Sequence, residues 1–135
     1  MSLFGVVGTF QTQEFVYVYG DQRVGSFGSY KISDSTPLTL MSVKTAKASG
    51  TVKIMLHAVS DSGASSRRVE GYLYKNGIFT GCSVSASSNN AKTEDCAITV
   101  STGDTLELWG AGNKLAKGGI SGYIYSGIPN KFYMD

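Results

Sequence analysis

Apolar and polar residues alternate along this chain with a period of two, the period of a β-strand whose faces meet different surroundings. Thr51 to Val59 is the clearest stretch: Val52, Ile54, Leu56 and Ala58 share one face, and Thr51, Lys53, Met55 and His57 the other. Cys96 to Val100 repeats the pattern with Cys96, Ile98 and Val100. Glu14 to Tyr19, Arg23 to Ile32, Leu38 to Thr45, Thr105 to Trp109 and Ile120 to Tyr125 read as further strands. Turn-forming runs such as Gly20-Asp21 and Ser101-Thr102-Gly103-Asp104 separate them. Val69 to Tyr74 and Ile78 to Cys82 bracket Asn76-Gly77, which suits a type I′ hairpin turn because both central residues there need φ > 0. No segment carries a convincing amphipathic helical pattern. About 8–10 strands without a helix predict an all-β fold, an antiparallel β-sandwich of jelly-roll type. No internal repeat or linker divides the chain. A single domain over residues 1–135 is expected, with an N-terminal arm over 1–12 and a C-terminal tail over 127–135.

Three strands break the rule of apolar inside and polar outside. In Glu14 to Tyr19, Val16 and Val18 take one face while Phe15, Tyr17 and Tyr19 take the other. In the last strand Ile120 and Ile124 oppose Tyr123 and Tyr125, and Tyr72 and Tyr74 oppose Val69, Gly71 and Leu73. Strand propensity alone places tyrosines in such positions. Three strands with one pattern point further, to a sheet whose outer face is covered by another subunit. Tyrosine suits a half-wet contact, with a large apolar body and a polar tip. Phe15, Tyr17, Tyr19, Tyr123 and Tyr125 are the expected interface residues.

Composition narrows the function classes. Of 135 residues 16% are charged and the formal net charge is +2, too small for a protein that grips phosphate backbones, so no nucleic-acid partner is expected. Glycine is abundant at 17 and proline scarce at 2, as a turn-rich β-domain requires. The opening MSLFGVVGTF has neither a basic n-region nor a long apolar core, and no run approaches a membrane span. Synthesis in the cytosol is the expectation. Cys82 and Cys96 are equidistant from Asn89 and would face each other in a hairpin centred there, close enough to bridge. A reducing cytosol favours the alternative, two small buried thiols.

Chemistry is hard to place. Two cysteines and one histidine do not make a zinc site, and no cofactor or metal is expected. His57 lies mid-strand beside Lys53 and Met55, as a structural or interface histidine would. Glu94 and Asp95 are strand neighbours and point to opposite faces, so they do not form a working acid–base pair. No nucleophile–base constellation emerges, and the chain is read as having no catalytic residues. Binding residues are sought on loops instead. The polar loops Ser60 to Ser66, Ser85 to Thr93 and Gly110 to Gly119 offer Asn89, Asn90, Lys114 and Lys117. Trp109 stands beside the third loop as a ring on which a sugar would stack, or as a buried anchor.

Gly103-Asp104-Thr105-Leu106-Glu107-Leu108-Trp109 followed by Gly119-Ile120-Ser121-Gly122-Tyr123-Ile124-Tyr125 resembles the closing strands of C1q/TNF-like jelly rolls. Gly71-Tyr72-Leu73-Tyr74-Lys75-Asn76-Gly77 is similar to a hairpin of phage tail and fibre head domains. The early aromatic motif of animal C1q heads, their calcium-site acids and a collagen-like stalk have no counterpart, which turns the resemblance toward phage or prophage virion proteins. It implies a homotrimer whose inner strands meet at the three-fold axis. It also implies a place in the virion after synthesis in the host cytoplasm: a fibre knob, a receptor-binding head or a capsid decoration. The partner would be a host receptor, a glycan or a capsid protein. A carbohydrate-binding module and a C1q/TNF-like signalling ligand are the competing readings.

Overall fold

The computed structural model describes residues 15–127 and 132–134. Nine strands occur in it: β1 (Val16–Tyr17), β2 (Gln22–Ile32), β3 (Thr39–Thr45), β4 (Ser49–Ser60), β5 (Val69–Lys75), β6 (Ile78–Ala86), β7 (Ala91–Val100), β8 (Thr105–Gly112) and β9 (Gly118–Ser126). They form two sheets. In the first, β4 pairs antiparallel with β7 and β9, β2 closes the sheet beyond β9, and the short β1 joins the start of β4 in parallel. The second runs β3-β8-β5-β6, all antiparallel. The protein is an all-β sandwich of jelly-roll type.

The alternation legible in the chain builds the core. Val52, Ile54, Leu56 and Ala58 of β4 are fully buried, as are Ile120 and Ile124 of β9 and Val24 and Phe27 of β2. Facing them from the second sheet are Leu106 and Leu108 of β8 with Val69 and Leu73 of β5. Full burial of such side chains contributes roughly 1.5–3 kcal/mol each.

Four expectations need correction. Residues 14–19 do not form one strand: β1 is two residues long, and Glu14 lies outside the described residues. Phe15, Tyr17 and Tyr19 therefore do not share a face. Phe15 and Tyr19 are exposed, but Tyr17 is 1% exposed, with its hydroxyl donating to Tyr133 O at 3.4 Å and accepting from Lys47 N at 3.2 Å. A ring buried within its own chain has no surface left for a second subunit. The cysteines are not two free thiols but a disulfide, and they meet across the sandwich rather than across a hairpin. Cys82 on β6 belongs to the second sheet and Cys96 on β7 to the first, with Cα atoms 6.2 Å apart.

Two predicted loops are also about half strand. Only Ser87 to Asn90 separates β6 from β7, and only Asn113 to Lys117 separates β8 from β9. Gly110 and Gly112 look like loop residues but serve packing. A Cβ on Gly110 would stand 2.7 Å from Ile120 Cδ1 and 2.9 Å from Ile32 Cδ1. The C-terminal tail is not free where it is described: Met134 is 3% exposed and its N–H donates to Val24 O at 2.8 Å.

The β5–β6 turn is the expected one, with φ of 51° at Asn76 and 81° at Gly77. Gly77→Val should destabilise the fold by about 1–3 kcal/mol, because a β-branched residue resists positive φ. A lowered thermal midpoint would be the signature, and an unchanged one would show that the turn relaxes to another type.

Candidate functional site

Three surfaces carry the candidate residues. The first is the outer face of the β4-containing sheet. Strand register places Lys53 beside Tyr125 and Met55 beside Tyr123, with Arg23 of β2 opposite Tyr125. The Arg23 guanidinium sits over the Tyr123 ring at 4.9 Å, and the Lys53 ammonium over Tyr125 at 5.2 Å. The two tyrosine rings are 6.5 Å apart. Cations over ring faces are electrostatically attracted, and both rings are half-buried. The hydrogen bond from Lys53 Nζ to Asp21 Oδ1 holds the ammonium above its ordinary range. Further along this face His57 Nδ1 lies 3.0 Å from Thr93 Oγ1. There β9 presents the small Gly119 and Ser121 between the longer Lys31 and His57. The difference in side-chain size leaves a groove of about 400 Å³.

The second surface is the outer face of the other sheet. Leu40, Trp109, Tyr72 and Ser83 lie in one row across β3-β8-β5-β6, and Val43, Glu107, Tyr74 and Phe79 in the next. Ring centroids are 5.3 Å apart for Tyr74 and Trp109, 5.5 Å for Tyr74 and Phe79, and 5.8 Å for Tyr72 and Phe79. Leu40, Val43 and Phe79 are each more than two-fifths exposed. Two of the polar ring tips are tied down. Trp109 Nε1 donates to Glu107 Oε1 at 3.2 Å, and Tyr72 OH donates to Glu70 Oε2 at 2.7 Å. Glu107 is itself fixed by Thr105 Oγ1 at 3.1 Å and Gly77 N at 3.1 Å. Burial, then the bond to Glu70, pushes the Tyr72 phenol up to about 12, so it stays a donor at neutral pH.

The third surface is the loop end. Asn89 N donates to Ser62 O at 2.9 Å, Ser60 N to Asn90 O at 2.9 Å, and Asp61 N to Lys117 O at 2.8 Å. Asn113 holds Arg68 N through its Oδ1 at 2.7 Å. The loops bearing Asn89, Asn90, Lys114 and Lys117 therefore meet at one end of the sandwich, as the sequence pattern anticipates. Trp109 does not join them. It sits mid-face, and its ring partners Tyr74 and Glu107 lie on the side away from the loop. At the opposite end Asn76 Nδ2 donates to Asp104 Oδ1 at 3.0 Å and Ser101 N to Asp104 Oδ2 at 2.8 Å. These two bonds, the backbone one foremost, hold the Asp104 carboxyl below its ordinary range.

The aromatic platform as a unit escaped sequence reading. Tyr72, Tyr74 and Trp109 stand out individually, but Leu40, Val43 and Phe79 come from strands whose neighbours are set by topology. No local signal marks them as one surface. Among the described residues, no group of three His, Cys, Asp or Glu is placed to hold a metal ion. Nor is any helix among them long and apolar enough to cross a membrane.

No protein-family model and no curated protein matches this chain. Solved structures of distantly similar shape include a CBM35 from Cellvibrio japonicus Abf62, with a TM-score of 0.49 and 17% identity, over 86% of this chain and 90% of that one. Dimeric latent PorU from Porphyromonas gingivalis has a TM-score of 0.37 and 13% identity, over 84% of this chain and 12% of that one. A chain of infectious bursal disease virus, Gx strain, has 0.33 and 13%, over 84% and 32%.

Proposed function

We propose that the protein is a non-enzymatic virion component of a phage or prophage: a fibre knob, receptor-binding head or capsid decoration that works as a homotrimer. One observation carries the reading. On the outer face of the β4-containing sheet, Tyr123 and Tyr125 are half-buried beneath Arg23 and Lys53, an ordered aromatic ladder where a monomer needs none. The C1q/TNF-like resemblance supports it, because it implies a homotrimer whose inner strands meet at the three-fold axis, and part of that resemblance lies in β9. The Cys82–Cys96 bridge also suits a particle that leaves the cell for oxidising surroundings.

In this assembly Tyr123, Tyr125 and Met55 are the contact, and the loop end with Asn89, Asn90, Lys114 and Lys117 faces along the axis toward a host receptor, glycan or capsid protein. Light scattering at several micromolar concentrations should give three chain masses. Tyr123→Asp places a carboxylate where it would be desolvated, so the variant should run as a monomer with its fold intact. A wild-type protein that stays monomeric throughout that range would overturn the trimer.

A further inference from the structure

The aromatic platform on the β3-β8-β5-β6 sheet lies on the opposite face from the proposed trimer contact and takes no part in it. The geometry points to a saccharide-binding surface, with Trp109 and Tyr74 as stacking rings and Glu107 and Glu70 as hydroxyl acceptors. It rests on the reading of the chain as a binding head and adds a ligand surface separate from the loop end.

The ligand follows from what the face combines. A pyranose with equatorial hydroxyls has a flat C–H face and a polar rim. It therefore needs an aromatic surface bordered by acceptors. Tyr74 and Trp109, with centroids 5.3 Å apart and planes tilted by 43°, are neighbouring half-buried rings on this face that offer apolar surface to the C–H face of a sugar. Glu107 lies in the row of Tyr74, and Glu70 in the row beyond Tyr72. Trp109 Nε1 and Tyr72 OH are already bonded to these two acids and leave no unmet donor of their own. Each carboxylate keeps lone pairs for sugar hydroxyls. The two acids also select by charge. An anionic sugar would meet like charge, so the saccharide is neutral. A second copy of this chain fits less well, since a two-fold contact through this face would take four carboxylates, Glu70 and Glu107 of each copy, away from water.

Trp109 is the single tryptophan of the chain, so its emission reports on this face alone. Titration of the full-length protein with cellohexaose, and separately with β-1,4-galactohexaose, should produce a saturable emission shift with at least one of them. Trp109→Phe and Tyr74→Ala, followed by calorimetry with the same hexaose, should weaken binding about tenfold, the size expected when a stacking ring is reduced or lost. Glu107→Gln should weaken it less. Tyr123→Asp should leave binding per chain unchanged, which separates this inference from the trimer. Failure of both hexaoses and of every neutral glycan on an array would overturn it, as would binding of acidic glycans alone. Binding that persists at full strength in both Trp109→Phe and Tyr74→Ala would do the same. A fall in oligomer mass in those two variants would show the face to be a self-contact.

Discussion

Gly118→Ala should cost the fold about 3 kcal/mol or more, through strain at one backbone position together with damage to the ladder around it. Gly118 opens β9 and pairs with Ser60 of β4 and Ile32 of β2, at φ 155°. A Cβ there would stand 1.8 Å from Val59 O and 2.9 Å from Val59 C. Both atoms are backbone of the central strand, so no rotamer change relieves the clash. The chain must part β9 from β4 where the Asn113–Lys117 loop enters the sheet. Gly63→Ala is the matching control, because its Cβ meets only Asn89 Nδ2, at 3.4 Å. Urea unfolding of the two variants should separate them clearly, and a Gly118→Ala midpoint close to that of Gly63→Ala would show that the strand entry is pliable.

Loss of the Cys82–Cys96 bridge should cost about 3 kcal/mol, the loop-closure value for a ring of about 15 residues. The two cysteines are 14 positions apart and join β6 to β7, the edge strands of the two sheets. The bridge thus closes one side of the sandwich where no backbone ladder links β6 to β7. In the double variant Cys82→Ala, Cys96→Ala the thermal midpoint should fall by roughly 10 °C for a domain of this size. A reductant should lower the wild type to a similar midpoint and leave the double variant unmoved. Should the reductant have no effect on the wild type while its thiols titrate as free, the bridge would be mechanically idle. Cys96 lies on the same strand as Thr93, which holds His57 on the proposed trimer face. Reduction should therefore also loosen assembly, visible as a lower mass at the lowest concentrations.

Much of the architecture is written locally. The two-residue alternation in Thr51 to Val59 needs no partner to be read, because side-chain direction in a strand depends only on position. Asn76-Gly77 is equally local, since its positive φ values are a property of those two residues. The tyrosine pair of the last strand stands out for the same reason: Tyr123 and Tyr125 share a face in any strand. The sequence by itself therefore determined an all-β chain, most of its strands, the hairpin turn and the two-faced closing strand.

Other features arise only when distant segments meet. Tyr17 is buried because two residues of β1 dock beside Ser49 and Gly50, more than thirty positions on, and nothing within residues 14–19 says which ring turns inward. Gly110 and Gly112 read as loop residues until Ile32 and Ile120 press against them from the facing sheet. Cys82 and Cys96 bridge because β6 and β7 fall in opposite sheets, a matter of topology rather than of spacing. Trp109 likewise leaves its loop context and joins Leu40, Tyr74 and Phe79, one residue from each of four strands. Strand periodicity fixes which way a side chain points, whereas long-range pairing chooses what it points at. The platform, the bridge and the packing glycines depend on that second choice, and only the tertiary structure made it.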